Sequence, residues 1–332
     1  MSTGISARDL TKVFKGGSRL KLGPLSLRLG RSRKIKALDS LSLDIPEGEA
    51  LGLIGPNGAG KTTFLTLLLG YLRPDRGEVL IDGLKPNTIG AKRLVGYLPE
   101  RLNFDHWMSG YEFLEYHHAL AEQCQINRKK EIEELLEIVA LEQDKWTAPL
   151  KTYSRGMLQR LGLAQALIGR PRYLLLDEPA SGIDPRGVVI IKKILKNLKS
   201  EGMTLLLNSH QLDQVEQVCD RVVFLEHGKI VRIEDMKAEV EAPRLLMVRF
   251  SAANLDSLKR ENLERAGNRA GAQLIKLEGL NAGFKVSSNA VAVSLIRALV
   301  EADLPVMEAT PDQGRLERLF GEEPEPEILD NP

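Results

Sequence analysis

Nine consecutive residues, Gly55, Pro56, Asn57, Gly58, Ala59, Gly60, Lys61, Thr62 and Thr63, have the order of a polyphosphate cradle, G-x-x-x-x-G-K-[ST]. The glycines let the backbone wrap with its amides pointing inward. A helix that starts at once after them adds partial positive charge. The Lys61 ammonium can reach β- and γ-phosphates, the Thr62 hydroxyl can ligate Mg²⁺, and Thr63 can bind a phosphate oxygen. The flanks fit this chemistry better than a chance Gly-rich turn. EALGLI before the loop reads as an apolar strand, and TTFLTLLLGYL after it as a helix.

A pair of acids forms the second group. In YLLLDEP the aliphatic run reads as a buried strand, and Asp177 emerges at its carboxyl end, where α/β sheets bind ligands. Asp177 there can hold Mg²⁺, directly or through water. Glu178 can accept a proton from an attacking water. Two acids after a strand can instead cap a helix, but the phosphate loop upstream favours the chemical role. His210 closes another aliphatic run, LLLNSH, at the same edge. Its imidazole can donate one hydrogen bond to a γ-phosphate or a water. The stretch TYSRGMLQR, residues 152–160, is the third group. Ser154 suits a helix N-cap, and Gly156 follows just inside the helix, where glycine is a poor former. A bare residue there suits a ligand that must approach the backbone closely.

The elements that position these residues are legible as alternation and aliphatic runs. Residues 4–14 and 35–54 read as strands with turns. The runs 173–178 and 203–210 suit strands buried on both faces of a parallel sheet. Helical segments at 155–169, 186–199 and 211–217 separate them. The expected fold is α/β for residues 1–234, with a mostly helical part at about 101–155. After it, strand, helix, hairpin, helix and strand follow in the order βαββαβ. That order predicts a small ferredoxin-like α+β domain over 243–321, with the hairpin turn around Asn281–Gly283. The acidic tail 322–332 reads as disordered.

One stretch stands apart. Lys15, Arg19, Lys21, Arg28, Arg31, Arg33, Lys34 and Lys36 meet no acid before Asp39. It reads as a solvated loop, or else as a contact for anionic lipid headgroups or an acidic partner. The net charge of the 332-residue chain is only +1, so global electrostatics do not point to nucleic acid. Cys124 and Cys219 match no metal-ligand spacing and read as thiols in a reducing compartment. No secretory leader and no run of about 18 apolar residues occur. The expected location is cytoplasmic, with any membrane role reached through a partner.

The order GPNGAGKTT, YSRGMLQR, LLLDEPASGIDP and NSH resembles the nucleotide-binding subunit of ABC transporters over roughly residues 4–232. The resemblance implies a P-loop NTPase core with an antiparallel β subdomain and a helical subdomain. It implies hydrolysis of ATP with Mg²⁺, with Lys61, Glu178 and His210 catalytic and Thr62, Asp177 and Glu100 near the metal. It implies a head-to-tail dimer with a second copy or a paralogous subunit. There Ser154, Arg155 and Gly156 form the signature loop acting on the partner's ATP, and Asp184 of SGIDP is the D-loop acid. Phe14, taken to close the first strand, is the candidate for stacking on adenine. Two departures stand out. The signature reads YSRGM rather than LSGGQ, and GYLPE ends in Glu100 where the family usually has Gln. Both resemble exporter ATPases paired with ABC-2-type permeases, which implies a peripheral subunit on the cytoplasmic side of the inner (plasma) membrane. The alternative is a soluble regulatory or nucleic-acid-associated ATPase of the same type. Only the basic stretch favours it.

Overall fold

Strands β1 (Gly4–Leu22) and β2 (Leu25–Pro46) lead to β3 (Ala50–Ile54), helix α1 (Lys61–Leu68), β4 (Arg76–Ile81), α2 (Ile89–Leu94) and β5 (Val95–Leu98). Helices α3 (Gly110–Leu120), α4 (Arg128–Ile138) and α5 (Gln143–Trp146) and a 3-10 turn precede α6 (Arg155–Ala166). Then come β6 (Tyr173–Asp177), α7 (Pro185–Ser200), β7 (Thr204–Asn208), α8 (Leu212–Val218), β8 (Arg221–Glu226) and β9 (Lys229–Asp235). This is a computed structural model that describes residues 3–22, 25–121, 127–209, 212–236, 244–251, 259–311 and 316, with the backbone alone at 15–22, 25–33, 244 and 311. His210, Cys124 and the acidic tail lie outside the described residues. The chain divides into two units, 1–237 and 238–332.

The aliphatic runs occupy the middle of a six-stranded sheet in the order β5-β6-β7-β3-β8-β9, parallel except for β8 with β9. Every residue of β3, β6 and β7 is buried. Strands covered on both faces favour near-continuous apolar runs, and each fully buried Leu contributes about 1.5–3 kcal/mol. A second, antiparallel sheet has the order β2-β1-β4. Its inner residues Ile5, Ala7, Leu10, Leu38, Leu41 and Ile45 share one core with Phe64 and Leu65 of α1.

Residues 15–22 and 25–36 are strand rather than the expected loop. The β1–β2 pairing continues from Phe14↔Ile35 through Arg19↔Arg28 to Leu22↔Leu25, while β4 pairs with β1 only as far as Thr11. Alternating leucines at 20, 22, 25, 27 and 29 favour this extended pairing over a solvated coil.

The helical region is locked by buried polar contacts. Ser109 and Glu112 form a capping box at the start of α3. The buried His118 of α3 is hydrogen-bonded through Nε2 to the Glu131 carboxylate of α4 at 2.7 Å. Arg160 of α6, also buried, donates to the carbonyls of Val139 and Ala140 and so caps the end of α4.

The second unit holds β10 (Arg244–Phe250), α9 (Arg260–Ala270), β11 (Gln273–Glu278), β12 (Asn281–Val286), α10 (Asn289–Glu301) and β13 (Val306–Pro311). Its four-stranded antiparallel sheet has the order β11-β12-β10-β13. The hairpin turns at Gly279 and Leu280, not at Asn281–Gly283, because Glu278 already pairs with Asn281. Gly279 supplies the positive φ of +57° that a tight turn needs. Gly283 lies within β12, where a Cβ would come within 3.1 Å of the Met247 sulfur.

Candidate functional site

The carboxyl edge of the parallel sheet gathers the chemistry. Leu53 of β3, Asn208 of β7 and Asp177 of β6 stand in register on adjacent strands and form one row. The phosphate loop leaves β3 just beyond that row. Leu98 of β5 pairs with Leu176 of β6, so Glu100 emerges from the same edge.

The loop has the backbone such a cradle needs. Gly58 and Gly60 have φ of +85° and +110°. A Cβ at Gly60 would lie 2.4 Å from the Ala37 carbonyl, so packing alone forbids one. At Gly58 a Cβ would meet nothing within 4 Å, and that side of the loop is open to a ligand. The Lys61 ammonium donates to the carbonyls of Gly55 at 2.6 Å and Pro56 at 3.2 Å, which holds it across the loop. Burial pushes the Lys61 pKa down, and the charges of Glu178 and Asp177 pull it back up.

Asp177 is buried, and the Asn208 side-chain amide donates to its Oδ1. Burial pushes the Asp177 pKa up; the Asn208 hydrogen bond opposes this, Glu100 and Glu178 raise it further, and Lys61 lowers it. Glu178 sits at a φ of +52°, and its backbone N–H donates to the Asn208 carbonyl at 2.8 Å. A non-glycine residue in that region costs of order 1–3 kcal/mol and persists only where its surroundings hold it. Asn208 therefore fixes both acids, one through its side chain and one through its backbone. Beside them Tyr97 has its pKa pushed up to about 12, first by burial and then by the charges of Asp177, Tyr71 and Glu100.

The donor set suits Mg²⁺. The charges of Glu100 and Glu178 help to raise the Asp177 pKa, and a divalent cation relieves that repulsion. Among the described residues no three such side chains converge enough to cage an ion by themselves. Mg²⁺ takes one or two protein ligands and fills the rest of its shell with phosphates and waters.

Ser154, Arg155, Gly156 and Asp184 make a second group, at the starts of α6 and α7. Ser154 accepts a hydrogen bond from the Met157 N–H at 3.2 Å, and Asp184 accepts one from the Gly187 N–H at 3.1 Å. The two caps are neighbours, since a Cβ on Gly156 would lie 3.8 Å from Asp184 Oδ1. Phe14 is 40% exposed, in mid-strand rather than at a strand end, opposite Ile35. Its ring lies 5.8 Å from the Lys12 ammonium. The Ala37 carbonyl that touches Gly60 follows shortly on the paired strand.

The ABC transporter family model matches residues 38–181. An uncharacterized ABC transporter ATP-binding protein of Nostoc is 40% identical over 228 residues, 68% of this chain and 65% of that protein. The methionine import ATP-binding protein MetN of Thermobifida fusca is 34% identical over 252 residues, 74% of each chain. The chain belongs to the ABC transporter ATP-binding proteins. It spans just under two thirds of the length of the Nostoc relative. The dimeric ABC transporter cassette MJ0796 has a TM-score of 0.61 and 26% identity, and it matches 70% of this chain and 99% of the cassette. Asn208 and Tyr97 are the site residues that the spacing of motifs did not reveal. Asn208 stands in the NSH stretch and Tyr97 in GYLPE, but neither carried a role of its own in the sequence.

Proposed function

We propose that this chain is the ATP-binding and ATP-hydrolysing subunit of an ABC transporter of the exporter type, driving a separate transmembrane permease by ATP-dependent closure of a dimer. The observation that carries this reading is the row at the sheet edge, which sets Asp177 and Glu178 two strands from the phosphate loop with Asn208 between them. ATP is the substrate. The loop amides and Lys61 hold its phosphates, with Thr63 on a phosphate oxygen. Thr62, Asp177 and Glu100 are the residues toward Mg²⁺, which when bound neutralises charge on the β- and γ-oxygens. Glu178 takes the proton of the attacking water, and its strained backbone aims it. His210 and Phe14 keep the roles of γ-phosphate contact and adenine stacking.

Ser154 and Gly156 act from the second copy, or from a paralogous subunit, on the γ-phosphate held here. The geometry of Gly156 supports this. Nothing in its own chain comes closer than 3.8 Å to a Cβ there, so intrachain packing does not require the glycine. The start of α6 favours negative charge, and a bare residue lets a phosphate reach the amides.

A cavity of about 550 Å³ supports the permease contact. Ile89, Arg93, Tyr97, His117, Leu120 and Gln165 line it, so it joins the Glu100 side of the sheet to the helical region. Among the described residues no helix is long and apolar enough to cross a membrane. The chain would therefore sit peripherally on the cytoplasmic face through its permease. The export direction rests on the YSRGM and GYLPE variants alone, and the name of the methionine import relative points the other way. The test is to purify the chain from its source membrane without high salt and identify what accompanies it. A polytopic membrane protein that raises its ATP turnover supports the proposal. A chain that hydrolyses ATP at full rate with no such partner refutes it.

A further inference from the structure

Beyond Phe14 and Ile35 the β1–β2 ribbon holds no residue assigned to the nucleotide site. Beyond Thr11 it consists of two strands alone, since among the described residues no third strand pairs with it. It extends roughly 35 Å past that point at ~3.3 Å per residue. A two-stranded ribbon is marginal in water unless something covers one of its faces.

Its register sorts the sequence into two faces. Ser18 pairs with Leu29, Leu20 with Leu27 and Leu22 with Leu25, and paired residues share a face. Arg19 pairs with Arg28, Lys21 with Ser26 and Lys15 with Lys34, on the other face. At the shift between Gly16 and Ser18, the single residue 17 opposes 30, 31 and 32, so the alternation of faces is preserved. The leucine positions therefore continue the row of Phe14 and Ile35, which are 40% and 55% exposed at the ribbon's base, and the pair Gly16 with Arg33 puts one basic position in that row before the leucines begin. The result is five leucines on one side of an arm with basic residues at seven of its positions from 15 to 34 and no acid.

We infer that this ribbon is a membrane-surface arm that lays its leucine face into the interface of a bilayer rich in anionic lipids. Either signal alone binds weakly, and an apolar face joined to a polybasic segment makes a stable anchor. The ribbon is thin enough for its far face to stay within about a Debye length, ~10 Å at 0.1 M salt, of the headgroups. A nucleic acid would use the basic positions and leave the leucines without a role. The arm thus adds a contact with lipid that does not depend on a permease.

Vesicle pelleting of the full chain tests this. The vesicles are phosphatidylcholine alone or mixed with phosphatidylglycerol, and no nucleotide is added. The wild type is expected to pellet with the anionic vesicles, less so as salt rises, and not with the neutral ones. The pair Arg19→Gln and Arg28→Gln should weaken binding roughly five- to twentyfold at low salt, since each basic residue near the surface is worth up to about fivefold. The pair Leu20→Ser and Leu27→Ser should abolish the part of the binding that survives high salt. Both variants should keep the wild-type melting temperature, because neither position belongs to the shared core. Three results would overturn the inference: no pelleting of the wild type with anionic vesicles, unchanged pelleting of either pair, or preference for an oligonucleotide over the vesicles. Loss of ATP hydrolysis by the wild type would refute the proposed function and leave this result standing.

Discussion

Gly156→Ala separates the needs of helix α6 from the needs of the dimer. The added methyl would sit 3.8 Å from Asp184 Oδ1, 3.9 Å from Gly187 Cα and 4.0 Å from Ser154 Oγ, all ordinary contacts. Gly156 is helical and has no positive φ that would strain an alanine. Within a helix Ala is better than Gly by about 0.5–1 kcal/mol, and the first turn lies at the low end. For a unit of this size 1 kcal/mol moves the melting temperature by about 2–4 °C. The variant should therefore melt at the wild-type temperature or roughly 1–3 °C above it. It should bind a fluorescent ATP analogue as the wild type does, because the phosphate loop is untouched. Its Mg²⁺-dependent hydrolysis should fall by about 10²-fold, the scale of losing one preorganised donor to a developing anion. Mixing it with a Lys61→Ala chain should restore turnover, since each mixed dimer keeps one site with both halves intact. A lower melting temperature with undiminished hydrolysis per folded molecule would refute the reasoning and make Gly156 a packing residue.

Asp177→Asn should raise the melting temperature of the nucleotide-free protein at neutral pH. The Asp177 pKa is raised by folding, so its charge costs stability as pH rises from the ordinary carboxylate value through the raised one, and the amide removes that cost. The same variant should lose the stabilisation that Mg²⁺ with ATP gives the wild type. Wild-type Mg²⁺-dependent binding should fade on acidification at a higher pH than an ordinary carboxylate would give, which a binding titration from neutral to acid pH checks. Arg160→Ala should cost about 2–3 kcal/mol by stranding the carbonyls at the end of α4, and melting should fall by roughly 5–10 °C. A chain ending at Glu234 should bind ATP normally but self-associate less or couple less well, as gel filtration and transport assays would show.

Much of the site was legible because its residues are contiguous. Gly55 to Thr63 stand in nine adjacent positions, and Asp177 and Glu178 close and follow an aliphatic run that reads as a buried strand. Asn208 was not legible as their support, because its place beside Asp177 depends on the strand order β6-β7-β3, which the sequence does not state. The left-handed backbone of Glu178 was hidden for the same reason, since the Asn208 carbonyl that accepts from its N–H lies on the neighbouring strand. Arg160 read as one more charge on a helix, and its burial appears only once α4 ends against α6. The ribbon was misread as a loop because glycines and basic residues masked a period of two that the leucines carry. The hairpin turn of the second unit was misplaced because two Gly-containing candidates, Gly279 and Gly283, stand close together, and the pairing of Glu278 with Asn281 decides between them.

The central claim is that Glu178 polarises water while Asp177 serves the metal, and Glu178→Gln tests it most directly. The amide keeps the shape of the side chain and removes the proton acceptor. With Mg²⁺ and ATP the variant should accumulate as a stable ATP-bound dimer in gel filtration, while the wild type returns to monomer as ATP is consumed. Its hydrolysis should fall by about 10²–10⁴-fold, the usual contribution of a general base. A Glu178→Gln variant that hydrolyses ATP at the wild-type rate and forms no lasting dimer would contradict the account, and Glu100 would become the acid to test.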